Sequence, residues 1–495
     1  MVKCLRYSFL VVSFTVFILG AIDMAFNTML VGLLFLFCAN IIYSFEDVKK
    51  HIFFLFFHLV IFIFLLSRPV ISMVKGNIWW YFEIKSLYFA LTALFLTMIC
   101  LLVGSIFAET LLARQRRIPQ KTVSRDQIIA QQEFINALRM ISLLLFYTAM
   151  IFFMIKELEK LLFMRGKEYE QFYTLFKSSL PYLFRVIADM TPYFLCVFLA
   201  TMPKKSVAFL PLALYLFSAL PSLLIGIRNP IALNFIFVFL YYFIRDVLED
   251  TKKWLGFAEK LLLIITVPLA LIFLGAYNYI RAGISAKSNN PISLIIDFFY
   301  KQGVSFDVLC IGHDAIPKIA DTGFTNYTFG GFLDYLGHGT FAQVLFGAKS
   351  LGDGNNLNAA LYSNSFAHRM SYVTRGQEYL EGHGWGSSYL LETFADFGYL
   401  GIIIFSILLG ILFIYFFPMI KKNWFWGTLV LMSLTSIFFT PRAEATGWLT
   451  FIITVQFIAA VVLCYIVSKL MIKKYSYHRA LSHFGRHIIS TERSC

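Results

Sequence analysis

Apolar residues in this chain are gathered into long blocks separated by short polar intervals. A bilayer core of about 30 Å takes roughly 20 apolar residues in a helix. Twelve blocks approach that length: 5–22, 27–44, 51–68, 84–107, 138–156, 181–201, 206–226, 230–244, 260–278, 396–418, 424–440 and 448–468. The seventh and eighth are parted only by Ile227-Arg228-Asn229-Pro230, where Pro suits the start of a new helix but not the continuation of the old one. The pattern predicts an all-α fold, a polytopic membrane bundle of about twelve transmembrane helices forming one integral membrane domain over residues 1–495. One interval departs from the rhythm. Residues 279–395, between the ninth and tenth blocks, form a long polar and aromatic loop holding Arg281, Arg369, Arg375, His383 and Glu392.

Charge orients the bundle. Lys and Arg accumulate in the cytoplasmic connections of membrane proteins. With Lys3 and Arg6 inside, every second connection is also inside. These connections carry Lys49 and Lys50, then Arg114, Arg116, Arg117, Lys121 and Arg125, then Lys204 and Lys205, then Arg245, Lys252 and Lys253, then Lys421 and Lys422. The long loop and the mixed-charge segment 157–180 then fall outside. Both termini are expected in the cytoplasm, and the long loop on the extracytoplasmic face.

Composition agrees. The 495 residues are 59% hydrophobic and 14% charged, against about 25% charged in an average soluble domain. The net charge of +14 is accounted for by the inner connections and does not call for nucleic acid. The seven cysteines are scattered, with Cys310 alone in the long loop, so a disulfide framework is not expected. The first apolar run leads directly into the second, so no cleavable signal peptide is expected. Residues 109–137 read as a polar, partly helical linker. No phosphate-binding glycine loop, metal motif or nucleotide fold is present, so no cofactor or metal is expected. An enzyme working on the outer face would need a substrate that is already activated.

Three arginines are predicted at one depth, the outer headgroup level: Arg228 after the seventh block, Arg281 after the ninth, and Arg442 in the turn Thr440-Pro441-Arg442-Ala443-Glu444. Arginine at an interface can simply snorkel to lipid headgroups. Three on tight turns of a charge-poor face also make a site for a pyrophosphate, because guanidinium binds phosphate oxygens in a planar, multidentate way. Arg185 and Asp189 lie four residues apart in the sixth block and are expected to neutralise each other on one helix face. In the loop, Gly382, Gly384 and Gly386 alternate around His383 and Trp385, and Ser387 or Ser388 is placed to cap the following helix. His383 is a candidate base or donor to an acceptor hydroxyl. Arg375, Trp385, Glu392, Arg442 and Glu444 are candidate substrate-binding residues. Glu392, Asp396 and Glu444 are alternative bases.

The tract Gly382-His383-Gly384-Trp385-Gly386-Ser387-Ser388-Tyr389-Leu390-Leu391-Glu392-Thr393-Phe394-Ala395-Asp396-Phe397-Gly398-Tyr399-Leu400-Gly401 resembles the signature of Wzy-type O-antigen and capsule polysaccharide polymerases. So does Phe298-Phe299-Tyr300-Lys301-Gln302-Gly303-Val304-Ser305. The resemblance implies a GT-C-like bundle in a bacterial inner membrane and a glycan repeat unit carried on undecaprenyl pyrophosphate; because the arginines can stabilise the leaving group, the glycosyl transfer is expected to be metal-independent. Its expected associates are a chain-length regulator and a flippase. The related O-antigen ligases use two outer arginines for the pyrophosphate, and Arg228 and Arg281 correspond to them by position. The ligase histidine would fall near Ser387, and His383 lies four residues earlier. The expected activity is polymerisation of lipid-linked repeat units. Alternatives are ligase-type transfer of a finished glycan and, from another class, a lipid-linked oligosaccharide flippase, which would favour internal repeats and broken mid-bilayer helices. No such repeat is visible.

Overall fold

The computed structural model describes residues 2–115, 125–167, 169–249, 253–281, 290–319 and 325–492. Among them, twelve helical segments are long and apolar enough to cross a membrane: Val2–Ile22, Phe26–Glu46, Val48–Val74, Ile84–Arg114, Ile129–Phe163, Tyr182–Ala200, Lys205–Leu224, Asn229–Leu248, Phe257–Tyr277, Tyr389–Lys422, Trp424–Arg442 and Val455–Lys474. They correspond one for one with the apolar blocks of the sequence and are called spans one to twelve below.

Hydrogen bonds show that the spans alternate in direction. At one end, the connections that follow odd-numbered spans meet one another. Trp79 donates to Asn27 at 2.9 Å, and Tyr81 to Asp307 at 3.1 Å. The Tyr277 hydroxyl donates to the Leu223 carbonyl at 2.8 Å, the Asn355 N–H reaches the Tyr173 carbonyl, and Thr446 donates to the Thr328 carbonyl at 2.6 Å. The opposite end gathers the remaining connections. Arg6 pairs with Glu46 at 2.9 Å, His51 meets Glu109 at 2.7 Å, and Arg139 and Arg245 donate to the carbonyls of Thr201 and Pro203. Spans four and ten form the centre through close backbone approach. A Cβ on Gly104 would sit 2.2 Å from the Ile407 carbonyl oxygen, and one on Gly410 2.3 Å from that of Leu101.

Three features differ from the sequence expectation. Span twelve starts at Val455 and not at 448, because Gly447–Ile453 winds as a 3-10 helix. The stretch 109–137 is mostly helix, an extension of spans four and five, with 116–124 outside the described residues. Arg185 does not pair with Asp189. Asp189 instead takes Lys156 of span five at 2.5 Å, because the short helix Tyr182–Asp189 ends there and turns the carboxylate toward its neighbour. The Arg185 guanidinium lies over the Tyr182 ring at 5.9 Å.

Between spans nine and ten the chain folds into short helices. The first, Pro291–Gln302, is started by the Asn290 side chain accepting from the Ile292 N–H, with Pro at its first position. It doubles back along span nine, so that Gly275 abuts the Leu294 carbonyl. Its far end descends to span three, where a Cβ on Gly303 would lie 2.5 Å from the Arg68 nitrogen and Ser67 donates to the Phe299 carbonyl at 2.8 Å. Span three carries a π-helical turn, Phe62–Leu66, immediately before this contact, a feature that often accompanies functional sites. Arg68 precedes the span's end at Val74 by six residues, about 9 Å at the helical rise. The helix therefore enters a recess in the bundle. Further on, Ser388 caps the helix Tyr389–Lys422 as expected, and Gly398, at φ +62°, breaks that helix near its start.

Candidate active site

Arg442 ends the 3-10 helix Ile437–Arg442, where Pro441 and the Thr440 side chain close the turn. Its Nη1 donates to Gln302 Oε1 at 2.8 Å, and its guanidinium lies 5.5 Å over the Phe64 ring. One turn beyond Phe64, Arg68 lies 4.8 Å over Tyr300 and pairs with Asp307 at 3.2 Å. Tyr300 and Gln302 belong to the same short helix, so that one element steadies two half-buried guanidinium groups. Burial pushes the Asp307 carboxyl up, against the pull of Arg68.

Arg68 was missed by sequence reasoning, because it closes an apolar block that otherwise reads as a complete span. Its signal is the adjacent Pro69. Arg68-Pro69, Arg228-Asn229-Pro230 and Pro441-Arg442 all place arginine within two residues of proline at the same end of the bundle.

The other two predicted arginines lie at this same end. Arg228 caps the helix Asn229–Leu248 after Gly226, whose φ is +99°. Arg281 is the last residue of the helix Phe257–Arg281, and its side chain lies outside what is described. Tyr277, one turn before Arg281, ties that helix end to Leu223 and Leu224, just ahead of Arg228. The helix Pro291–Gln302 runs from this pair toward Arg442 and Arg68.

The candidate carboxylates separate into two kinds. Glu392 is fully buried and its oxygens are taken, one by the Ser387 hydroxyl at 2.7 Å and the other by the Ala445 N–H at 2.7 Å. It bolts the glycine-rich tract to the Arg442 turn and is inaccessible to substrate. Asp396 accepts from the Tyr327 and Thr328 N–H groups, and Asp334 holds Asn364. Glu444 differs. It is only partly buried and has no hydrogen-bond or ion-pair partner among the described residues. Two residues without side chains adjoin it: a Cβ on Gly447 or Gly331 would lie 3.0 or 3.6 Å from its Oε2. Burial, and then the nearby negative charge of Asp334, push its carboxyl above the usual range.

The glycine-rich tract lies beside the same turn, with Gly386 against the Arg442 carbonyl. Trp385 stacks under the Arg375 guanidinium at 4.0 Å, and Arg375 also pairs with Glu378 at 2.8 Å. Ser371 holds the Trp385 backbone on both sides. His383 is exposed, held through its backbone by the Glu378 carbonyl and by Asn355. Its ring has no hydrogen-bond partner among the described residues. The other loop histidines are committed: His313 to Ser86, His338 to the Lys349 carbonyl, and His368 to the Tyr379 hydroxyl at 2.7 Å. Burial lowers the pKa of His313 and His368. Arg369, also in the loop, is buried and donates to the Ser363 carbonyl, a structural position.

The model of the family O-antigen polysaccharide polymerase Wzy matches residues 5–475, nearly the whole chain. The chain belongs to the Wzy family of O-antigen polysaccharide polymerases. No curated protein and no solved structure matches it. As a Wzy family member it is a multi-pass membrane protein of polysaccharide biosynthesis, acting in the polymerisation of O-antigen repeat units. The tract from Gly382 to Gly401 and the helix ending at Gln302, on which the family resemblance rests, are the two segments that converge on Arg442.

Proposed function

We propose that this Wzy protein joins oligosaccharide repeat units carried on undecaprenyl pyrophosphate, at the extracytoplasmic face of the inner membrane, with both termini in the cytoplasm. The donor is the growing chain on its lipid carrier and the acceptor is a single lipid-linked unit. An acceptor hydroxyl oxygen attacks the donor anomeric carbon. The bond from that carbon to the pyrophosphate oxygen breaks, undecaprenyl pyrophosphate leaves with the bonding pair, and the hydroxyl proton passes to a base. Displacement from the opposite side predicts inversion at the anomeric carbon.

The observation that carries this reading is the pair of guanidinium groups, Arg442 and Arg68, steadied by one helix in a recess of the bundle. Fixed cations at the position where negative charge develops stabilise the departing pyrophosphate without reorganising at the moment of reaction. Arg228 and Arg281, at the near end of the same helix, are assigned to the distal phosphate or to the incoming lipid carrier. Glu444 is assigned as the base. Its carboxylate has no competing partner among the described residues, and its raised pKa makes it a better proton acceptor than an ordinary surface carboxylate. His383 and the Trp385–Arg375 stack, on the rim, are assigned to orienting the acceptor sugar, for which aromatic faces are suited.

Purified protein given lipid-linked repeat units alone should produce a ladder of polymers and free undecaprenyl pyrophosphate. Transfer only to a foreign acceptor such as lipid A, with no ladder, would make it a ligase. Accumulation of substrate on the cytoplasmic side in a null strain would make it a flippase.

A further inference from the structure

The segment between spans nine and ten carries an apolar projection that the glycosyl-transfer site does not use. The helices Gly330–His338 and Thr340–Phe346 meet at Gly339, where the chain turns in an extended conformation. The second helix ends at Gly347, whose φ of +64° lets the Ala348 N–H return to the Ala342 carbonyl. Beyond this stop the sequence becomes polar, Lys349-Ser350-Leu351-Gly352-Asp353-Gly354-Asn355-Asn356. The projection itself is not polar. Phe346 is 84% exposed, Val344 77%, Leu345 64%, Leu336 64% and Phe341 62%. Isolated exposed apolar residues are ordinary, but five on one two-helix projection form a patch that water does not tolerate well.

The base of the projection fixes its position. Helix Gly330–His338 packs on the 3-10 helix Gly447–Ile453, and the Tyr335 hydroxyl accepts from the Val455 N–H at 2.9 Å. Val455 is the first residue of span twelve. The lipid-facing side of that span starts at once with Val455, Ile458 and Val462, all exposed. The base of the projection thus adjoins the outer side of span twelve, a surface suited to acyl chains.

We infer that the hairpin of helices 330–346 is a wedge inserted into the adjoining leaflet of the bilayer, with Phe341, Val344, Leu345 and Phe346 among the acyl chains and the polar stretch from Lys349 at the headgroup level. Its occupant is lipid. A short amphipathic helix lying in the interface buries its apolar face at the boundary of headgroups and acyl chains, and tyrosine at its base, like Tyr335, suits that depth. Gly331, in the same hairpin, adjoins Glu444. The wedge therefore borders the carboxylate and disturbs the leaflet where a lipid-linked substrate approaches.

The test places an environment-sensitive fluorophore on Leu345→Cys, in the full chain with Cys4, Cys38 and Cys495 replaced by Ser, reconstituted in phosphatidylethanolamine–phosphatidylglycerol vesicles. Val344→Cys is the second site should the first variant fold poorly, and Ser350→Cys is the polar control. Lipids carrying a quencher on the acyl chain should dim the label at 345 or 344 several-fold, while aqueous iodide leaves it unchanged. The label at 350 should show the reverse. Quenching by iodide at 345 and 344 without quenching by lipid would overturn the inference. Protection from both quenchers would also overturn it, because protein and not lipid would then cover the face.

Discussion

Each residue of the proposed site differs in what its neighbours leave it free to do. Glu392 and Glu444 are equivalent in sequence, acidic residues near an outer turn, and only the fold separates them. Glu392 is locked by Ser387 and Ala445, whereas Glu444 opens onto two glycines. The sign of the pH effect follows from the raised Glu444 pKa. A base must be ionised to accept a proton, so turnover should be low below that pKa and rise as pH climbs through it, with an inflection above the usual carboxylate range. Glu444→Gln should abolish the rising limb and reduce turnover by about 100-fold or more. An unshifted profile in the Gln variant, measured as initial rate of chain extension, would return the role of base to His383. Arg68 offers a second measurement. Arg68→Ala leaves the buried Asp307 carboxylate without its cation and should cost about 3 kcal/mol in unfolding experiments. Arg68→Lys keeps the charge but loses the flat stack on Tyr300, so it should fold normally and extend chains more slowly. The placement of arginines at one end of the bundle was legible in the sequence through charge. Their pairing was not, because pairing depends on side chains more than two hundred residues apart, as Arg68 and Tyr300 are.

At the scale of the element, the helix Pro291–Gln302 organises the site. The sequence pattern places it inside the long loop; in the structure Asn290 and Pro291 cap its start. Its re-entry into the bundle is not visible in the sequence, since a twelve-residue amphipathic helix in a polar loop gives no sign of which surface it will meet. What permits the re-entry is Gly303, where the chain passes so close to Arg68 that no side chain fits. Gly303→Ala should push the helix from span three, lower stability by about 1–3 kcal/mol and reduce polymerisation together with it. A variant of full stability and full activity would show that the helix does not need this seat. The twelve spans themselves were legible in number and order, because apolar length is a one-dimensional property, but their ends were not, as the starts of spans five, ten and twelve at Ile129, Tyr389 and Val455 show. Arg185 and Asp189 failed for the opposite reason: helical spacing predicts neighbours within one helix, and Lys156 from span five competed successfully for the carboxylate.

The whole molecule is a bundle with two unlike ends. One end is drawn together by polar contacts, including Arg6–Glu46 and His51–Glu109. The other end carries the long segment, the recess and the arginines. In the proposed reading the chemistry belongs at the second end, and that end is the one expected to face away from the cytoplasm. Cysteine-accessibility labelling in intact cells should find residue 383 open to an impermeant reagent and residue 205, at the opposite end, closed to it. The account rests on fixed guanidinium groups holding a departing lipid diphosphate. The most direct test is chain extension by purified Arg442→Ala protein with lipid-linked repeat units, alongside the unaltered protein and with melting temperature as a control for folding. The account predicts a folded protein whose polymer ladder is reduced by about 100-fold or more; a ladder of undiminished length and rate would contradict it.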